Sequence, residues 1–192
     1  MYVERLKVKT SLNKLRDYFD VLETNYNHLK WQNNNDVHMG VGNHKIDKLY
    51  SWAINTNAAD ITKPVAPYNI NKETVEYRDT ELMFGIIEKI KNAFPMAHAF
   101  GISAHPSRTE INTHVDSDTY WKIHVPIYTN PDAVFVYEDQ EYHLPATGAM
   151  YLINTEVPHG TDNRGSEDRV HLLFKIPREE VDSIREMDGL IE

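Results

Sequence analysis

Trp121-Lys122-Ile123-His124-Val125-Pro126-Ile127-Tyr128 alternates with the period of an extended chain. Successive side chains of a strand point to opposite faces. Ile123, Val125 and Ile127 therefore share one face, and Lys122 and His124 share the other. Arg169-Val170-His171-Leu172-Leu173-Phe174-Lys175-Ile176 repeats the pattern, with Val170, Leu172, Phe174 and Ile176 on an apolar face and Arg169 and His171 opposite. Each strand thus puts basic side chains and imidazoles behind an apolar face. Taken singly, they read equally as a solvent-facing arginine, a core-edge histidine and a snorkelling lysine.

Outward from these two strands the texture is the same. Ala97–Ser103, Ile111–His114, Ala133–Tyr137, Glu141–Leu144 and Ala149–Ile153 are short runs rich in apolar and β-branched residues. Asn130-Pro131-Asp132, Pro145–Gly148 and Asp162–Ser166 punctuate them, and Glu138-Asp139-Gln140-Glu141 reads as a hairpin tip. Many short strands at close spacing predict a β sandwich or barrel. Before Pro95 the signals are helical. Leu12, Leu15, Phe19 and Leu22 recur at helical spacing from Thr10 to about Asn25, with Thr10 or Ser11 as N-cap. Leu82, Met83, Ile86, Ile87, Ile90 and Phe94 do the same from about Thr80, where Asp79 or Thr80 caps and Pro95 stops the helix. A last helix is expected from Pro177 to about Met187, opening with proline and two glutamates. The expectation is mainly β with flanking helices in one domain: a helix-rich part over about 1–95, a β core over about 96–176 and a terminal helix over about 177–192.

Composition narrows the chemistry. The chain has 192 residues, a net charge of −9, ten histidines and no cysteine. An acidic chain lacks the cationic face that nonspecific nucleic-acid or anionic-membrane binding needs. Without cysteine, a transition-metal site must use His, Asp or Glu. The first residues lack the apolar run of a signal peptide, so the expected compartment is the cytoplasm.

His114-Val115-Asp116 carries the chemistry. At i and i+2 on a strand, an imidazole and a carboxylate project into one space. With His159, between Pro158 and Gly160, they would complete a 2-His-1-carboxylate triad, which leaves positions on Fe(II) for a co-substrate and O₂. Arg169, ten residues on, can pair with a carboxylate in fork geometry. A His-X-Asp triplet alone occurs often by chance as a surface pair, so the weight lies in the whole constellation.

That constellation resembles the aspartyl/asparaginyl β-hydroxylase-like group of Fe(II)- and 2-oxoglutarate-dependent oxygenases, near bacterial proline hydroxylases and related phage proteins. The matching text is His114-Val115-Asp116, Lys122-Ile123-His124-Val125-Pro126-Ile127, Asn130-Pro131, Tyr142-His143-Leu144-Pro145, Gly148–Thr155, Pro158-His159 and Arg169-Val170-His171-Leu172. The resemblance implies a double-stranded β-helix, or jelly roll. It implies His114, Asp116 and His159 as iron ligands and Arg169 as the partner of the distal carboxylate of 2-oxoglutarate. Ser103, His124 and Lys122 fall where the family contacts the co-substrate, and His171 shares the face of Arg169. Asp116 departs from the founding aspartyl hydroxylase, which lacks the carboxylate ligand, and disfavours halide rebound. Lys122 stands where many relatives have arginine. The implied reaction is hydroxylation of an amino-acid side chain, free or within a protein, with Fe(II), 2-oxoglutarate and O₂.

The competing reading is a non-catalytic, cupin-like module that binds a metal or small ligand, although no Gly-rich cupin motif is present. Trp31, Trp52, Tyr68 and Tyr77 read first as core aromatics and second as cover for the site. Arg108 reads first as a solvated loop residue and second as a contact for a substrate carboxylate. His28, His38, His44, His98, His105 and His143 receive no role.

Overall fold

The computed structural model describes residues 1–27, 30–32, 50–55, 75–76, 81–116 and 119–192. Among these residues, thirteen strands and three α-helices run in the order β1 (Val3–Thr10), α1 (Leu12–Asn25), β2 (Trp31–Gln32), β3 (Tyr50–Asn55), β4 (Val75–Glu76), α2 (Glu81–Ala93), β5 (His98–His105), β6 (Thr109–His114), β7 (Tyr120–Tyr128), β8 (Ala133–Tyr137), β9 (Gln140–His143), β10 (Ala149–Ile153), β11 (His159–Asn163), β12 (Arg169–Pro177), α3 (Val181–Arg185) and β13 (Leu190–Ile191).

From β5 onward the chain shuttles between two sheets. β5, β7, β10 and β12 lie in a large sheet ordered β13-β1-β10-β7-β12-β5-β3-β2, with β4 on β3. β6, β8, β9 and β11 form a small sheet ordered β6-β11-β8-β9. This alternation is the double-stranded β-helix expected from the resemblance.

The large sheet is buried on both sides, for different reasons. Its outer face carries Ile123, Val125, Ile127, Leu172, Phe174 and Ile176, which pack with Leu15, Tyr18 and Leu22 of α1 and Ile86, Ile87 and Ile90 of α2. Phe174 stacks on Phe100 with ring centroids 4.7 Å apart. Each such side chain taken from water contributes about 1.5–3 kcal/mol. On its inner face, Ala149, Tyr151 and Ile153 of β10 meet Phe135 and Tyr137 of β8 in a second apolar cluster. Beside that cluster the inner face is polar.

Several boundaries differ from the sequence reading. The segment 1–95 holds both expected helices but also gives strands to the large sheet. β1 pairs with β10 and β3 with β5, so the β core does not begin at residue 96. In β1 the buried residues Leu6, Val8 and Thr10 alternate with exposed Arg5, Lys7 and Lys9. Thr10 belongs to this strand, and Ser11 takes the N-cap position of α1 without a side-chain hydrogen bond. The cap of α2 at Asp79 or Thr80 lies outside the described residues. Pro177 ends β12, and the terminal helix shrinks to a 3-10 turn (Arg178–Glu180) followed by α3. β11 opens at His159 and runs through Asp162 and Asn163, which read as the start of the turn Asp162–Ser166. The hairpin tip forms as expected, with Glu138 at a φ of 50°. Among the described residues no helix is long and apolar enough to cross a membrane.

Candidate metal centre

His114 closes β6 and His159 opens β11, and the two are directly paired across the small sheet. Gly160 allows this close approach: a Cβ there would stand 2.7 Å from the carbonyl oxygen of Ile111. Val115 points outward and is 53 % exposed, so the alternation read from the sequence turns His114 and Asp116 inward. The Asp116 amide donates to the Thr155 carbonyl at 3.0 Å, which ties the segment just after β6 to the segment just after β10.

Each histidine is fixed by its own backbone. His114 Nδ1 lies 2.8 Å from the Asn112 carbonyl oxygen and His159 Nδ1 lies 2.9 Å from that of Val157. A carbonyl only accepts, so Nδ1 carries a proton and the neutral ring presents a lone pair at Nε2. Both Nε2 atoms face the carboxylate, at 3.8 Å (His114) and 3.6 Å (His159) from Asp116 oxygens. One ligand atom from each of the three residues lies within 4.8 Å of the others. A borderline divalent ion with bonds of about 2.0–2.2 Å fits between such donors. Burial lowers the His114 pKa, which favours the neutral, ligating form. Burial pushes the Asp116 carboxyl up, but the Lys122 ammonium beside it outweighs this and holds it below the usual range. Tyr137 stacks on His159 at 5.8 Å.

Lys122, expected at the co-substrate, has its ammonium 2.6 Å from Asp116 Oδ2. It sits in β7, two residues before His124, so the large sheet reaches across to the carboxylate of the small one.

A second polar group lies further along the inner face. Arg169 begins β12, with its guanidinium 5.0 Å over the Phe135 ring. Its Nε and Nη1 are buried and find no hydrogen-bond acceptor among the described residues. Burial draws its pKa down to about 10, so it remains charged at neutral pH. A buried cation without a carboxylate is expensive unless a ligand supplies one. His171 Nδ1 meets His124 Nδ1 at 3.3 Å, one donating and the other accepting. Ser103 is paired opposite His171, and His105 opposite Arg169, where β5 runs beside β12. His105 had no role in the sequence reading, yet it is 1 % exposed and its Nδ1 lies 3.3 Å from Thr161 Oγ1. Burial and then Arg169 push its pKa down to about 2. The Nε2 atoms of His105 and His171 also lack partners among the described residues. Lying beyond the run Ala97–Ser103 and beside Pro106, His105 carries no strand signal in the sequence.

The remaining candidates separate. Trp52 is core, 1 % exposed, its indole N–H donating to the Tyr26 carbonyl at 3.0 Å. Arg108 is exposed in the β5–β6 turn at a φ of 58°. His98 is exposed, and His143 Nδ1 lies 3.2 Å from the Ala133 carbonyl oxygen. Tyr68, Tyr77, His28, His38, His44 and the side chain of Trp31 lie outside the described residues.

A jelly roll with two histidines and a carboxylate converging at one end, and a buried arginine further along, has the architecture of the 2-oxoglutarate-Fe(II) oxygenase class. The sequence profile of the aspartyl/asparaginyl β-hydroxylase family matches residues 4–179. The chain belongs to that family and is an oxygenase-type hydroxylase. Among solved structures, it is similar to a Pseudomonas putida prolyl-4-hydroxylase at 10 % identity, covering 92 % of each chain with a TM-score of 0.52. It is also similar to a viral collagen prolyl hydroxylase from Paramecium Bursaria Chlorella virus-1, in complex with 2-oxoglutarate, at 8 % identity. That match covers 92 % of this chain and 96 % of the other, with a TM-score of 0.50. At these identities the likeness concerns the fold. No curated protein matches the chain by sequence.

Proposed function

We propose that the protein is an Fe(II)- and 2-oxoglutarate-dependent dioxygenase that hydroxylates a C–H bond of an amino-acid side chain, free or peptidyl. The observation that carries this reading is the pair of histidines locked by backbone carbonyls with both Nε2 lone pairs turned to one carboxylate. His114, Asp116 and His159 hold the iron in this reading. Arg169 takes the distal carboxylate of 2-oxoglutarate, and its orphaned Nε and Nη1 are the support for that role. His171, His124 and Ser103 line the same face. The bound iron and co-substrate supply activation of O₂ for insertion into the C–H bond, with release of succinate and CO₂.

The chain's own residues supply geometry. The two Nδ1–H groups keep the imidazoles from rotating, and Lys122 holds one oxygen of Asp116 so that the other is directed at the metal. His124 and His171 stay neutral because burial holds both well below the ordinary histidine range. One formal charge, on Arg169, then remains to meet one carboxylate. Phe135 packs under that charge and keeps water from it.

The test is turnover. Purified protein with Fe(II), ascorbate and 2-oxoglutarate is screened against free amino acids and Asp or Asn peptides, with mass detection of a product gaining one oxygen. The expected outcome is 2-oxoglutarate consumption that His114→Ala abolishes. A protein that binds neither Fe(II) nor 2-oxoglutarate refutes the proposal.

A further inference from the structure

The inner face of β12 carries Arg169, His171, Leu173 and Lys175 in turn, and the mechanism above leaves Lys175 unused. It is 8 % exposed. In the pairing of β12 with β7 it stands opposite Lys122, and in the pairing with β5 opposite His98. Two lysines are thus neighbours, while the adjacent carboxylate, Asp116, is 2.6 Å from Lys122. Lys175 makes no ion pair among the described residues. Its ammonium rests 3.7 Å from the centroid of Tyr120, a contact that stabilises a cation but does not neutralise it. Burial, then Lys122, draws its pKa down to about 8, which leaves it mostly protonated at neutral pH.

Its place in the site follows from the strands. Arg169 and His171 lie over Phe135, whereas His159 lies over Tyr137, two residues further along β8. Lys122, bound to Asp116, marks the same end as His159. The three candidate ligands therefore lie toward Lys175 and away from Arg169, and six residues of strand, roughly 20 Å, separate the Cα atoms of Arg169 and Lys175. A five-carbon diacid running from the metal to Arg169 leaves Lys175 on the far side. That end reaches solvent at the exposed His98 and the half-buried Tyr120.

We propose that Lys175 receives a carboxylate of the substrate, so that the enzyme takes substrates bearing a carboxylate in preference to the matching neutral amides. Its ammonium donates to the carboxylate oxygens while Tyr120 holds the lysine stem in place. This assignment rests on the iron and co-substrate reading given above.

The experiment uses the full chain loaded with Co(II) and 2-oxoglutarate under nitrogen, where no turnover occurs. Calorimetry measures binding of matched probes: free amino acids against their amides, and blocked aspartyl against asparaginyl tripeptides. A charge-assisted contact predicts that at least one acid binds the wild type about 10- to 100-fold more tightly than its amide. Lys175→Met and Lys175→Gln bring that ratio near one, while the Co(II) spectrum and 2-oxoglutarate affinity stay unchanged, and Lys175→Arg keeps the preference. An unchanged ratio in both neutral variants overturns the assignment alone. So does a wild type that binds metal and 2-oxoglutarate but prefers no acid, or binds none of the acids. A wild type that takes up neither Co(II) nor 2-oxoglutarate overturns the proposed function as well.

Discussion

The two faces of the large sheet are made by the same strands and are buried to similar degrees. In β12, Phe174 is 0 % exposed on one face and His171 1 % on the other. What separates the faces is the kind of group they bury. The outer face is apolar and packs with residues of α1, α2 and α3; among the described residues its only unpartnered polar atoms are the neutral Tyr18 hydroxyl and Trp121 indole nitrogen. The inner face buries basic groups, and polar atoms of Arg169, His171 and His105 have no partner among the described residues. Burial alone therefore does not distinguish a core from a site, whereas a cluster of buried basic groups that the described residues do not complete does.

The comparison breaks most visibly by emptying the outer face. Phe174→Ala removes a ring packed against Phe94 and Phe100. Urea denaturation should show a loss of about 3–5 kcal/mol, while the folded fraction keeps its Fe(II) and 2-oxoglutarate affinities. His159→Ala does the reverse. Iron affinity should fall by more than about a hundredfold, beyond what loss of a supporting hydrogen bond costs, and unfolding of the metal-free protein should change little.

Arg169→Met sharpens the contrast further. Titration with 2-oxoglutarate should show roughly 10- to 100-fold weaker binding, with Fe(II) binding intact. Stability should hold or rise, because a buried cation gives way to an apolar chain of similar length. A marked loss of stability would mean that Arg169 belongs to the core and not to the site.

The smallest effect is a slope. His105 titrates near 6.5 when unfolded and near 2 when folded, because burial and Arg169 oppose its charge. Between those values the unfolded chain holds the extra proton, so stability rises with pH across that window and falls on acidification. The contribution approaches about 1.4 kcal/mol per pH unit. Unfolding free energies at pH 4, 5 and 6 should therefore depend less on pH in His105→Gln than in the wild type.

The alternation that exposes these two faces was legible without coordinates. The residues of β7 and β12 separate by parity, and His114, Asp116, His159 and Arg169 could be placed because a strand period and a family pattern agreed. Other elements were not legible, for physical reasons. β11 reads His159-Gly160-Thr161-Asp162-Asn163, in which Gly160, Asp162 and Asn163 are turn formers. It is a strand because β6 and β8 pair with it on both sides, so tertiary pairing overrides local propensity. β1 carried a readable alternation of Leu6, Val8 and Thr10, hidden by the helical signal that follows at once. The role of Lys122 against Asp116 required knowing that two different sheets bring the residues together. His105 became visible only when its neighbours did.

The pairing of β1 with β10 has a consequence in time. Val3 lies opposite Ile153, so the first strand waits for about 150 further residues before its partner exists. At the usual pace of synthesis that is on the order of ten to thirty seconds. Through that interval Leu6 and Val8 stand beside unsatisfied backbone. Arg5, Lys7 and Lys9, interleaved with them, supply the charge that keeps such a strand from pairing with another nascent chain.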